Sequence, residues 1–411
     1  MLRRVFVWLH RWTGLLLAGF LILEGLTGSL LAFNDDLTRL LNPVLFATPP
    51  SPDAPPLDLA AIAEHAEAII RPKAGVAYFG TDTPGQVIVR CHPFKDPATG
   101  KPYDIGFKYL VLDPWTGKEL GRVHERHATQ GFIANIMPFV YMLHEALALG
   151  TIGMLVLAAV AILWTIDCFT GFYLTLPVAI ASFWQRWKPS WLIKQRAGFF
   201  RVNFDLHRAS GLWLWPMLFI FAWSSVMLEP LPVYDWVTGA LFDYQSPMDW
   251  ILSMPQHPDG QRPKLDWRAA QAAGERLMEE QAAIHGFRIE KPLGLAYLSD
   301  FGLYSYDVRT DRAFPEYNIV NIYFDGDTGA LYKVNWPTGE HSGNTVSSWL
   351  RSLHMIRDPV DSLAYRIFVC VLGVVITALS VTGVYIWWKK RRARKFSKAH
   401  RGASAAEFAA E

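Results

Sequence analysis

The chain has 411 residues, 51% of them hydrophobic, and a formal net charge of only +2. A mean hydropathy of +0.15 is too apolar for an ordinary soluble protein of this charge content. No long basic patch lies in a polar segment, which argues against a nucleic-acid partner. The three cysteines give no disulfide framework.

The apolar residues collect in runs long enough to cross a hydrocarbon core of about 30 Å, which takes about 20 helical residues. The first expected span covers residues 12–33, behind Arg3, Arg4 and Arg11. It is too long for a signal-peptide apolar region and no small-x-small cleavage site follows. It is therefore read as an uncleaved anchor with a cytoplasmic N-terminus. Glu24 falls mid-span, where a carboxylate costs on the order of 2.5–3.5 kcal/mol, so it is expected to face other helices.

A polar segment follows at 34–137. It opens with a stiff Pro-rich linker (Thr48-Pro49-Pro50-Ser51-Pro52). The periodicity then predicts a helix over 57–70 and strands over 76–79, 86–91 and 107–112. Asp113-Pro114-Trp115-Thr116-Gly117 supplies a tight turn. The second span lies within 138–183, centred on 146–166, with His144 just before it and Thr170-Gly171-Phe172-Tyr173 at its end. The loop at 184–208 mixes Arg186, Lys188, Lys194, Arg196 and Arg201 with Trp184, Trp187 and Trp191, the pattern of a short cytoplasmic loop at an interface.

The third span is expected over 209–228, with a kink at Pro216. The polar segment at 229–346 repeats the plan of the first: a helix over 267–283, strands over 293–298, 304–308 and 319–324, and the turn Asp325-Gly326-Asp327-Thr328-Gly329. His354 then precedes Asp358-Pro359, read as the N-cap and first position of the last helix. The stretch 347–388 contains the fourth span and Thr382-Gly383-Val384-Tyr385. Lys389 to Lys395 open a basic cytoplasmic tail at 389–411.

His10-Arg11-Trp12-Thr13-Gly14-Leu15 at the start of the first span returns as His207-Arg208-Ala209-Ser210-Gly211-Leu212 at the start of the third. The landmarks recur in order, with His10 and His207, Gly117 and Gly329, and His144 and His354 all about 200 residues apart. The expected fold is thus an α-helical membrane protein: four transmembrane helices as two tandem parallel repeats, with two small α/β domains on the outer side.

In this topology His10 and His207 share the cytoplasmic face, and His144 and His354 the outer face. Each pair is expected to meet across the pseudo-two-fold axis, as bis-histidine ligands of two haem groups. No C-x-x-C-H is present, so the haem is held non-covalently. Gly14 and Gly211, one turn beyond His10 and His207, leave a flat surface for a planar group. Arg351, one turn before His354, is a candidate for a haem propionate or an anionic acceptor. Glu24 and Asp167 are read either as haem or proton groups or as helix contacts. His124, His127 and His341 either line an acceptor site or are surface residues. His65, His92, His257, His285 and His400 are read as solvated.

With these residues the sequence resembles the PepSY-associated transmembrane family of bacterial inner-membrane proteins, which includes ferric-siderophore reductases. The resemblance covers nearly the whole chain and rests on the two His-Arg-x-[Ser/Thr]-Gly motifs and the two Asp-x-x-Thr-Gly turns. It implies four spans, two periplasmic PepSY-like domains, haem b, and reduction of periplasmic ferric siderophore to release Fe(II). Without a Gly-x-Gly-x-x-Gly after a strand, the electron donor is expected to be another protein, a free reduced flavin or quinol. The alternative is a non-enzymatic membrane protein that binds a periplasmic ligand or restrains a peptidase. A transporter using Glu24 and Asp167 is disfavoured by the small number of spans.

Overall fold

In the computed structural model the apolar runs are helices, since backbone groups facing lipid must be satisfied within their own segment. The structure describes residues 1–408 except 82, 125–126, 129–132, 256–262, 313–317 and 337. The helices in chain order are α1 (Leu2–Leu31), α2 (Asn34–Leu41), α3 (Leu59–Ile70), α4 (Ile136–Ala146), α5 (Thr151–Thr175), α6 (Phe183–Trp187), α7 (Phe199–Trp213) and α8 (Trp215–Leu228). They continue with α9 (Val233–Leu241), α10 (Pro247–Leu252), α11 (Trp267–His285), α12 (Ser342–Met355) and α13 (Leu363–Phe408). The strands are β1 (Ala74–Gly80), β2 (Val87–Pro93), β3 (Tyr109–Leu112), β4 (Glu119–His124), β5 (His127–Ala128), β6 (Ile289–Leu298), β7 (Leu303–Thr310), β8 (Ile319–Asp325) and β9 (Leu331–Asn335). They form two compact units: a helical one (Met1–Ala32, Leu143–Tyr234, Leu363–Glu411) and a sheet-bearing one (Phe33–Met142, Asp235–Ser362).

In the helical unit, α1, α5 and the Leu363–Arg394 part of α13 are each long and apolar enough to cross a membrane. The pair α7 and α8, bent by 68°, adds a fourth crossing if it is one span. The break has a local cause. Pro216 has no N–H to give the carbonyl of Leu212, and its ring crowds that carbonyl, so α7 stops at Trp213 and α8 starts at Trp215. The first span begins ten residues before the expected position 12, and this extension has a purpose. It carries Arg3 to the end of α5, where its guanidinium donates to the carbonyls of Leu174 and Leu176 at 2.7 and 3.0 Å. α1 and α13 touch backbone to backbone at Gly25 and Gly373, where a Cβ on either glycine would collide with the other's backbone. Ser29 and Thr377 continue the small-residue seam, and Ser29 Oγ donates to the carbonyl of Cys370 at 2.9 Å.

Two boundaries differ from expectation. The second span starts at Thr151, because Leu147, Ala148 and Gly150 all take positive φ and cannot continue a helix. His144 therefore sits on a separate short helix, α4. The last helix starts at Leu363, so Asp358 and Pro359 are not its N-cap and first residue. They lie in the turn after α12, which ends with Ile356 at φ 54°.

The sheet unit holds one antiparallel sheet of nine strands, in the order β5-β4-β3-β2-β1-β6-β7-β8-β9. The two small α/β segments are thus edge-joined halves of one sheet, through Phe79↔Leu295 and its neighbours. Each half is introduced by a helix capped by an aspartate: Asp58 accepts from Ala61 N at 2.7 Å, and Asp266 from Ala269 N at 2.8 Å. α3 and α11 supply Ile62, Ala66, Leu277 and Met278 to a core completed by Phe79, Leu110, Tyr304, Ile322 and Phe324. Strict alternation in β8 sends Val320, Ile322 and Phe324 into that core and Asn321 and Tyr323 to the other side. The two tight turns have the same construction. Asp113 accepts from Trp115 N and Thr116 Oγ1, and Asp325 from Asp327 N and Thr328 Oγ1. Each turn closes on a glycine, Gly117 or Gly329, at φ 68° and 69°.

Candidate functional site

Within the helical unit, α1 and α7 bring His10 and His207 together, with ring centres 6.2 Å apart and planes at 55°. Each ring is fixed through Nδ1. His10 Nδ1 lies 3.0 and 3.1 Å from the two carboxylate oxygens of Asp167 on α5. Thr170 Oγ1 donates to the same carboxylate at 2.7 Å. His207 Nδ1 lies 3.0 Å from both the carbonyl of Leu379 and Thr382 Oγ1 on α13. Nε2 of either ring has no hydrogen-bond partner among the described residues. An imidazole held at Nδ1 by a carboxylate or carbonyl has its tautomer fixed with the lone pair on Nε2, the form that ligates a metal.

A second feature is common to both rings. A Cβ added at Gly171 would stand 3.4 Å from His10 Cε1, and one at Gly383 would stand 3.2 Å from His207 Cε1. Each imidazole thus lies against the bare backbone of the opposing helix, at the glycine that follows Thr170 or Thr382. His144 on α4 repeats the arrangement with α1. Its Nδ1 lies 2.9 Å from Thr27 Oγ1 and 3.0 Å from Glu24 Oε2, and a Cβ at Gly28 would stand 3.2 Å from its Cε1. Three histidines in the helical unit are therefore each seated on a Thr-Gly step.

The sequence motif Thr-Gly-x-Tyr marked Gly171 and Gly383, but gave them no role. Thr27-Gly28 went unnoticed as a seat. The available signal was the recurrence of Thr-Gly in three apolar runs. Of the glycines that were singled out, Gly14 faces open space and Gly211 meets only Leu379, at 3.8 Å from an added Cβ. Neither packs on its own helix's histidine. Glu24 and Asp167 are the carboxylates that position His144 and His10. Arg208 of the second His-Arg motif pairs with the buried Asp205 at 2.9 Å, as does Arg201.

Except for His400, the remaining candidates lie in the sheet unit. His354 and Arg351 both stand on α12, three residues apart and half-buried. His341 is half-buried and lies 2.9 Å from Asp243 Oδ2, while His65, His92 and His285 are exposed. His257 and the side chains of His124, His127 and His400 lie outside the described residues. Among the described residues no three His, Cys, Asp or Glu side chains cluster as a metal-ion site. The histidine pair offers two donors.

No curated protein sequence matches the chain. Residues 7–390, which include both His-Arg motifs, all three Thr-Gly seats and the whole sheet, match the family described as PepSY-associated TM region, and the chain belongs to that family.

Proposed function

We propose that the protein is a di-haem b reductase of the bacterial inner membrane. In this reading it passes electrons from a cytoplasmic-side or quinol donor to a ferric siderophore outside. The single observation that carries it is the pairing of His10 and His207. His10 and His207 would hold the haem between them, each pinned at Nδ1 with Nε2 left as the donor. Their ring centres lie 6.2 Å apart, close enough for both imidazoles to serve one group. When bound, haem supplies a one-electron Fe(III)/Fe(II) couple.

The chain's residues set the terms of that couple. Asp167, accepting from His10 Nδ1, makes this imidazole a more basic donor. Leu379 and Thr382 orient His207 without adding charge. Gly171, Gly383, Gly14 and Gly211 keep methyl groups away from the rings and the surface beside them. At the outer face His144, seated on Thr27-Gly28 and Glu24, is the residue that would hold the second haem. The likeness of the two sequence halves, each with its own His-Arg motif, supports two tandem repeats with both ends of the chain in the cytoplasm and the sheet unit in the periplasm. Electron flow outward is downhill, by roughly 2.3 kcal/mol per 100 mV of membrane potential. Fe(II), less strongly charged, is then released by hard oxygen chelators.

The decisive measurement is a reduced-minus-oxidised visible spectrum of purified protein with haem counted per chain. Paired Soret and α bands at two haems per chain are expected, falling to one in His10→Ala and in His207→Ala. A featureless spectrum after haem supplementation would sink the proposal.

A further inference from the structure

Away from the histidine pairs, the sheet unit carries a cleft of about 280 Å³ on the face of β8 and β9 turned away from the α3 and α11 core. Its floor is the strand pair Tyr323↔Lys333 beside Asn335. One wall is Trp250 of α10, whose ring meets Tyr323 edge-on at 5.3 Å. Trp336, just past the end of β9, adds to the lining but turns its ring to the core face of the sheet, edge-on to His285 at 4.6 Å and Phe287 at 5.7 Å. The rim is built as firmly as the walls. Gln245 N donates to Asn344 Oδ1 and Asn344 Nδ2 to the Gln245 carbonyl, both at 2.9 Å. Ser246 caps α10, and Tyr332 OH donates to the carbonyl of Ser253 at 2.8 Å.

The cleft's chemistry is lopsided. The ammonium of Lys333, the side-chain amide of Gln245, the indole N–H of Trp250 and the phenol of Tyr323 are all donors. None has a hydrogen-bond partner among the described residues. Opposing them are Asn335 Oδ1 and the exposed carboxylate of Glu340, while Asp243 is engaged with His341. Unused donors with one lysine call for an oxygen acceptor of single negative charge, and Glu340 at the rim repels a more highly charged anion. The indole and phenol faces call for a planar ring. At this volume, below the usual drug-sized pocket, the cleft suits a one-ring molecule.

We propose that this cleft is a binding site for a small aromatic carboxylate, its ring against Trp250 and Tyr323 and its carboxylate on Lys333. The site stands independently of the electron-relay reading, because binding here needs no haem. The test is isothermal titration of full-length protein in detergent with three probes: benzoate, the neutral benzamide, and the non-aromatic cyclohexanecarboxylate. Saturable benzoate binding is expected, with the other two weaker by about tenfold or more. Lys333→Met should lower benzoate affinity by a similar factor and leave benzamide unchanged, whereas Lys333→Arg retains benzoate. An unchanged circular-dichroism melting curve for each variant certifies its fold. The proposal is overturned by any of three results: no saturable benzoate binding, equal binding of all three probes, or benzoate binding indifferent to Lys333→Met in a folded variant.

Discussion

A histidine near the end of a span is ordinary; one pinned at Nδ1 and laid on a glycine of the next helix is not. The seat makes Gly383 the most sensitive position beside His207. Gly383→Val adds a branched side chain where the first carbon alone would lie 3.2 Å from the ring, so the imidazole must move. Haem content per chain, read from the pyridine haemochrome spectrum, is expected to fall by one. Gly14→Leu is the informative companion, since its new Cβ meets no protein atom within 4 Å. Haem loss in that variant reports contact with the group itself. A separate residue-scale prediction concerns Asp307, buried in β7 with Oδ1 unpartnered. Burial pushes its carboxyl up to about 6, against the lowering effect of Asn321 and Ser305. A raised carboxyl binds a proton more tightly in the fold than in the unfolded chain. Its contribution to stability is therefore complete below about pH 4 and is lost as pH rises through about 6. Thermal unfolding followed across that window should show stability declining and then levelling, and Asp307→Asn should remove this part of the slope.

At the scale of elements, the helical unit depends on the close contact of α1 with α13. Glycine at both Gly25 and Gly373 lets the backbones touch, and without a hydrophobic drive between helices in lipid such packing is what holds them. Gly373→Leu has no room, since even a Cβ collides with Gly25 and Ser29, so the helices must separate. The expected result is a variant that loses thermal stability in detergent and loses haem along with it, because α13 carries the seat of His207 and α1 carries His10. The isosteric control is Ser29→Ala, which removes the hydroxyl bond to Cys370 but keeps the small residue. It should cost only about 1 kcal/mol. A melting temperature for Gly373→Leu equal to that of the control would show that the seam contributes nothing.

For the whole molecule, orientation is the property that the proposed electron path requires. The turn between β3 and β4 offers a probe, because Lys118 is exposed. Native Cys91 is buried, and desolvation lifts its thiol to about 11, so it stays unreactive near neutrality. A Lys118→Cys variant in intact cells should react with a membrane-impermeant maleimide applied from outside. Labelling only after lysis would place the sheet unit on the wrong side of the membrane for an external acceptor.

Much of this was legible in the chain itself. The long apolar runs, the helix-then-strands order of each polar segment, the Asp-x-x-Thr-Gly turns and the break at Pro216 are all local. Period, length, capping and the missing N–H of proline determine them without reference to distant residues. The pairing of His10 with His207 was reachable because the two motifs repeat at matching places. What required the tertiary structure were contacts between segments far apart in sequence, each of which has no local signature. Nothing in the neighbourhood of Gly383 names His207, 176 positions earlier, as the ring that rests on it. Nothing in β1 or β6 alone says that two small α/β segments will share one sheet, because an edge strand shows the same alternation whether it is exposed or paired. The positive φ at Leu147 and Ala148, which sets His144 on its own helix, is likewise imposed by packing against the local preference of leucine and alanine for the helix.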